Sequence, residues 1–155
     1  MTKISVGDKA PEFTLRDTDK SEKSLNDYAG QHVVLLFFPL AFTGVCTKEL
    51  CGVRDELNIY KDLDAQVVAI SVDSLFTLEQ FKAAEKLNFP LLSDFNKEVS
   101  RSYGSIYEDF VLGMKGVSKR SAFVISPEGM IKYAEILEDA GQIPNFDNIK
   151  KALES

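Results

Sequence analysis

The chain reads as an α/β protein with a mixed central sheet flanked by helices, and three observations lead there. Two apolar runs, residues 33–38 (VVLLFF) and 66–72 (QVVAISV), are too continuous for strands with one face in water; they fit strands covered on both sides. Each is followed by a stretch with helical spacing, the order that builds parallel strands. Later, residues 120–125 and 130–136 flank Ser126-Pro127-Glu128-Gly129, a turn-forming loop, and read as an antiparallel hairpin.

Taken in order, Gly7-Asp8-Lys9-Ala10-Pro11 is a turn. Glu12-Phe13-Thr14-Leu15-Arg16 alternates, with Phe13 and Leu15 on one face, and reads as a half-buried strand. Residues 24–30 form a one-turn helix closed by Gly30. Residues 33–38 are the central strand. Residues 46–63 carry helical spacing through Leu50, Val53, Leu57 and Tyr60, and predict one helix. Residues 66–72 are the second buried strand, 75–87 a helix, 90–94 a short extended piece and 97–103 a short helix. The hairpin follows, and a helix over 146–153 closes the chain.

The 155 residues suffice for one domain, spanning 1–155, with a core that needs no staples. The composition is 45% apolar and 27% charged, which is ordinary for a globular protein. The 18 basic and 24 acidic residues give a net charge of −6, which argues against a nucleic-acid partner. The 33–38 run is too short for a bilayer, and Met1 to Ala10 lacks the apolar stretch of a secretory signal. Cytoplasm is the expected location, with no membrane partner; there, two cysteines are expected as thiols or as a catalytic couple. They and the one histidine, His32, cannot supply an ordinary four-ligand zinc site, and no phosphate-cradling glycine motif is present. No metal and no cofactor is expected. His32 reads as a solvated histidine beside the strand, not as a base for a cysteine.

The most informative segment is Pro39-Leu40-Ala41-Phe42-Thr43-Gly44-Val45-Cys46. It delivers a cysteine to a helix start just past the carboxyl end of a central strand, where sites in such sheets lie. Open amides and the positive end of the helix dipole favour a thiolate there. Plainer readings stand beside this one. Cys46 can be a small buried apolar residue, Thr43 an N-cap, Arg120 a surface charge at a strand start, Glu49 a first-turn acid and Pro39 a strand terminator.

Pro39-x-x-x-Thr43-x-x-Cys46 resembles the active-site motif of the peroxiredoxins, thiol peroxidases with a thioredoxin-like fold. Residues 7–15 look like that family's N-terminal extension, and Lys119-Arg120-Ser121-Ala122-Phe123-Val124-Ile125 like the strand bearing its arginine. Phe42-Thr43-Gly44-Val45-Cys46 is most similar to the alkyl-hydroperoxide-reductase-E-like branch. Cys46-Thr47-x-x-x-Cys51-Gly52-Val53-Arg54-Asp55 is similar to the bacterioferritin-comigratory, or Q-type, branch. The resemblance implies that Cys46 attacks hydrogen peroxide or an organic hydroperoxide and becomes a sulfenic acid. Thr43 would offer its hydroxyl to the peroxide, Arg120 would hold the thiolate and the polarised oxygens, and Pro39 would shield the pocket. Glu49 matches a bracing position. Many members carry a second arginine later in the chain, but none follows Arg120 here. Arg54 is read as structural.

Cys51 is either a resolving cysteine or an inert residue beside Leu50 and Val53. Five residues along an α-helix put its Cα roughly 8–9 Å from that of Cys46, whereas a disulfide wants less than about 7 Å. Resolution therefore requires the first turns to unwind, which Gly44 and Gly52 make easier. The Q-type resemblance implies a Cys46–Cys51 disulfide reduced by thioredoxin. The E-type resemblance implies a one-cysteine cycle, met by an outside thiol such as a glutaredoxin-like protein. The resemblance to the family as a whole also suggests a homodimer packed near the active-site edge. Phe42, Phe110, Leu112 and Met114 are candidates for an apolar mouth, or for core or dimer contacts. A non-catalytic thioredoxin-fold binding domain is the rival class. A dithiol oxidoreductase is disfavoured, because four residues, not two, separate the cysteines.

Thiolate formation alone is a weak lever. A cysteine titrating at ~8.5 is about 3% ionised at pH 7, and moving it to ~6 gains roughly thirty-fold in reactive form. A Brønsted slope of ~0.4–0.5 takes back about ten-fold. Most of the rate must then come from orientation and from donors placed at the leaving oxygen.

Overall fold

The computed structural model describes residues 4–155. Met1 to Lys3, the start of the polar opening segment, lie outside the described residues.

The strands are β1 (Thr14–Asp17), β2 (Glu22–Ser24), β3 (His32–Phe37), β4 (Ala65–Ser71), β5 (Leu91–Ser93), β6 (Ile106–Tyr107), β7 (Val117–Ser118), β8 (Ser121–Ile125) and β9 (Ile131–Ile136). The α-helices are α1 (Gly44–Asp55), α2 (Leu57–Asp62), α3 (Leu75–Glu85), α4 (Glu98–Ser102) and α5 (Phe146–Glu154), with 3-10 turns at Leu25–Tyr28 and Val111–Gly113. One seven-stranded sheet runs β2-β1-β5-β4-β3-β8-β9. β3, β4 and β5 are parallel; β8 is antiparallel to both β3 and β9, and β1 to β5. The predicted mixed α/β sheet is the one observed. The N-terminal segment adds to its edge: Gly7 N–H donates to the Ile131 carbonyl (2.9 Å) and Ile131 N–H to that of Asp8 (2.8 Å).

β3 explains its own composition. Val34 and Leu36 pack on one face of the sheet with Leu50, Val53, Tyr60, Phe81 and Ile149. Val33, Leu35 and Phe37 pack on the other with Phe13, Val99, Tyr103 and Phe123. Successive side chains point to opposite faces and both faces are covered, so every position from Val33 to Phe37 is apolar. Cys46 belongs to the first cluster, which places α1 and the cysteine on that side of the sheet.

The single helix predicted over 46–63 is two. It breaks at Glu56 (φ −108°, ψ 13°), where Glu56 N–H bonds the Val53 carbonyl three residues back (3.1 Å) and Ile59 N–H bonds that of Glu56 (2.9 Å). This tightened turn redirects α2 while Leu57 and Tyr60 stay buried. The helix also starts two residues before Cys46. β2, β6 and β7 were not anticipated; strands of two or three residues are shorter than the period that would betray them.

Tyr103 joins the second cluster. Its ring lies 5.4 Å from Phe37 and 5.2 Å from Phe123 between centroids, and its hydroxyl donates to the Pro11 carbonyl at 2.7 Å. Tyr103→Phe should cost about 1 kcal/mol and Tyr103→Ala about 3–5 kcal/mol, read by urea unfolding.

Candidate active site

Pro39 follows the last β3–β4 bond of this segment, from Phe38 N–H to the Ile70 carbonyl (3.0 Å). With no N–H of its own it ends the ladder. The chain then turns sharply. Phe42 takes φ +66°, a left-handed conformation that costs a non-glycine residue roughly 1–2 kcal/mol. Thr43 is the N-cap residue of α1 by position, but its side chain does not cap the helix. Its hydroxyl donates instead to the Leu40 carbonyl at 2.7 Å. Of the Thr43 hydroxyl expected to meet a peroxide, it is the oxygen that this bond leaves available, as an acceptor. The first intrahelical bond runs from Thr47 N–H to the Thr43 carbonyl (2.9 Å). The amides of Gly44, Val45 and Cys46 therefore precede any i−4 partner and stand open at the helix mouth.

Arg120 sits immediately ahead of β8, not within it, and is 2% exposed. Its Nη2 donates to Cys46 Sγ at 3.1 Å, from 74 residues away in sequence. Its Nη1 donates to Glu49 Oε1 at 2.7 Å and its Nε to the Ala140 carbonyl at 2.9 Å. Arg120 is thus buried and not a surface charge, and Glu49, in the first turns of α1, is hydrogen-bonded to it. No second arginine is involved: Ala140 in the loop after β9 supplies the third acceptor.

Glu49 is fully enclosed, and its Oε2 has no hydrogen-bond partner. Burial pushes its carboxyl up to about 7, against the pull of Arg120. On Arg120 burial works against the charge, but Cys46 and Glu49 together hold the guanidinium above its usual range. Two acidic groups thus face one buried cation.

A cleft of about 590 Å³ opens over this cluster. Pro39, Leu40, Thr43, Val45 and Arg120 line its inner end; Tyr107, Phe110, Val111, Leu112 and Met114 form its apolar wall. Phe110, Leu112 and Met114 thus stand where an apolar mouth was expected. Phe42 does not; its ring packs edge-on against Phe81 at 5.1 Å. Cys46 has no exposed surface and is not among the residues that line the cleft.

Cys51 is half-buried, not fully internal, and both cysteines are free thiols. Its Sγ donates to Glu85 Oε2 at 3.8 Å. Burial first, with Glu85 opposing the pull of Arg54, pushes this thiol up. Arg54 donates to the Glu85 carbonyl and clips α1 to the end of α3. His32 is the first residue of β3, at the opposite end from Pro39. Its Nε2 lies 3.2 Å from Lys132 Nζ, and burial together with Lys132 lowers its basicity. Among the described residues no three metal-ligating side chains converge, and no helix is long and apolar enough to cross a membrane.

The sequence profile of the AhpC/TSA family matches residues 6–134. The chain belongs to that family, the peroxiredoxins. Alkyl hydroperoxide reductase E of Mycobacterium tuberculosis is 40% identical over 136 residues, 86% of each chain. Peroxiredoxin Bcp of Escherichia coli is 36% identical over 135 residues, again 86% of each. The crystal structure of peroxidoxin BcpB from Mycobacterium tuberculosis superposes with a TM-score of 0.85 at 28% identity, covering 97% of both chains. The thioredoxin-like fold is the one expected, and this peroxiredoxin is an enzyme that reduces peroxides at the expense of thiols.

The Glu49 carboxyl carries a pH signature. Its folded value near 7 lies above the ordinary 4.5, so the folded state holds the proton more tightly than the unfolded chain. The associated stability is complete below about pH 4.5 and is lost as pH rises through about 7. Glu49→Gln cannot ionise and should not show that loss. Wild type should therefore fall relative to the variant by up to roughly 3 kcal/mol between pH 4.5 and 7.5, measured by urea melts. Parallel curves would mean that Glu49 is ionised throughout.

Proposed function

We propose that Cys46 is the peroxidatic cysteine of this peroxiredoxin and works as part of a one-domain enzyme. The observation that carries the reading is the buried bond from Arg120 Nη2 to Cys46 Sγ at 3.1 Å. A guanidinium held by three acceptors favours a thiolate beside it and is preorganised to stabilise charge on a departing oxygen. The Cys46 thiolate attacks the terminal, hydrogen-bearing oxygen of the peroxide and the O–O bond breaks. Sulfur becomes a sulfenic acid, and the leaving oxygen takes up a proton to depart as water or an alcohol. Thr43 Oγ1 accepts the hydrogen bond of the incoming peroxide, and Pro39 excludes water from one side. The apolar wall of Phe110, Leu112 and Met114 suits the alkyl portion of an organic hydroperoxide, in keeping with the name of the reductase E relative.

Cys51 is the resolving cysteine in this reading. With α1 intact from Gly44 to Asp55, the ~7.5 Å of rise between the two positions keeps the sulfurs from bonding. The first turns must unwind, after which the Cys51 thiol displaces water from the sulfenic acid. The disulfide is then open to thioredoxin or a glutaredoxin-like reductant. The second reading, a one-cysteine cycle reduced directly by an outside thiol, is favoured by the bond that ties Cys51 to Glu85.

Cys46→Ser should abolish peroxide consumption in stopped flow. Arg120→Ala and Thr43→Val should each lose roughly a hundredfold or more in the oxidation step. That loss should exceed the loss of thiolate followed at 240 nm; a loss merely proportional to thiolate would contradict the assigned roles. After one equivalent of peroxide, the intact mass should fall by two hydrogens. A stable sulfenic acid trapped by dimedone would instead support the one-cysteine cycle.

A further inference from the structure

The turn after β4 carries a carboxylate that no step above uses. Asp73 Oδ2 accepts the N–H of Ala41 at 2.8 Å, across 32 residues of sequence. The same oxygen accepts the Ser71 hydroxyl at 2.6 Å. Its backbone is held too: Asp73 N–H donates to Ser71 Oγ (3.2 Å), and Ser93 Oγ of β5 donates to the Asp73 carbonyl (2.6 Å). Asp73 is thus fixed by β4 and β5, and its carboxylate reaches across to the loop that leaves β3. It can do so because β3 and β4 are parallel neighbours, so their carboxyl ends emerge at one edge of the sheet.

A local duty does not account for it. Asp73 precedes α3, but that helix is capped by Ser74, whose Oγ accepts Thr77 N–H at 3.1 Å. What Asp73 does hold is the residue before Phe42. Phe42 stands at φ +66°, and such a conformation persists only where its surroundings over-determine it. Ala41 is anchored on one side of it by Asp73, and on the other the Thr43 hydroxyl is anchored to Leu40. The next residue, Gly44, opens α1.

We infer that Asp73 is a positioning residue for the peroxidase reaction: by gripping the Ala41 amide it sets Thr43 and the open amides of the first α1 turn in register with Arg120. Asp73 touches no substrate and acts through the loop. The inference rests on Cys46 being the peroxidatic residue.

The test is the rate of the first oxidation by hydrogen peroxide, measured by competition with a haem peroxidase. Asp73→Ala should slow it roughly ten- to hundredfold, the scale of a small misplacement of reacting groups, a loss larger than any change in the Cys46 thiolate fraction followed at 240 nm accounts for. Asp73→Asn should remain within about threefold of wild type, because a side-chain amide oxygen can accept both bonds. Asparagine as slow as alanine, or alanine as fast as wild type, overturns the assignment. If Asp73→Ala does not fold, Ser71→Ala takes its place. It removes one brace of the carboxylate and should slow oxidation about threefold; an unchanged rate there overturns the assignment. A wild-type protein whose Cys46 is not oxidised removes the reading of the cysteine, and this inference with it, and is thereby distinguished from failure at Asp73 alone.

Discussion

One guanidinium, taken out of water and bonded on all three nitrogens, organises the side chains around Cys46. Arg120 joins the first turns of α1, through Cys46 and Glu49, to the loop after β9, through Ala140. Such a cation is costly to bury unless it is paired and hydrogen-bonded. Its partners are therefore determined by energetics as much as by function. Cys46 and Glu49 share that one guanidinium, and burial lifts the Glu49 carboxyl against the cation's pull.

The surrounding fold holds that cluster from several directions. Parallel β3 and β4 bring two loop ends to one edge of the sheet, which is why Asp73 meets Ala41. β8, antiparallel to β3, brings Arg120 to the same edge, because the residue before an antiparallel neighbour begins where β3 ends; Phe37 and Ser121 are register partners. α1 closes the site from the covered face. The cleft wall between β6 and β7 belongs to a separate two-stranded piece, which packs on Leu40, Val72 and Ala140.

The same architecture sets a conflict between the two proposed half-reactions. In the proposed cycle, peroxide reduction needs α1 wound, since its open amides and Glu49 face the cation from that helix. Resolution by Cys51 needs the helix unwound. The Arg54–Glu85 clip and the Cys51–Glu85 bond lie on the far half of α1 and resist that opening.

Much of this was legible in the residues alone. The continuous apolar run of β3, the alternation of strand and helix and the Ser126–Gly129 turn specify the sheet because backbone period and burial are local properties. The spacing of Pro39, Thr43 and Cys46 is likewise local, so the strand end, the turn and the helix mouth could be read in order. The break at Glu56, the β6–β7 pair, the direction of the Thr43 hydroxyl, Ala140's carbonyl on Arg120 and Asp73's grip on Ala41 could not. Each depends on atoms brought together across the sheet or on a choice among nearby acceptors, and no period along the chain encodes such a choice. Sequence determined which groups were available; only packing decided which of them meet.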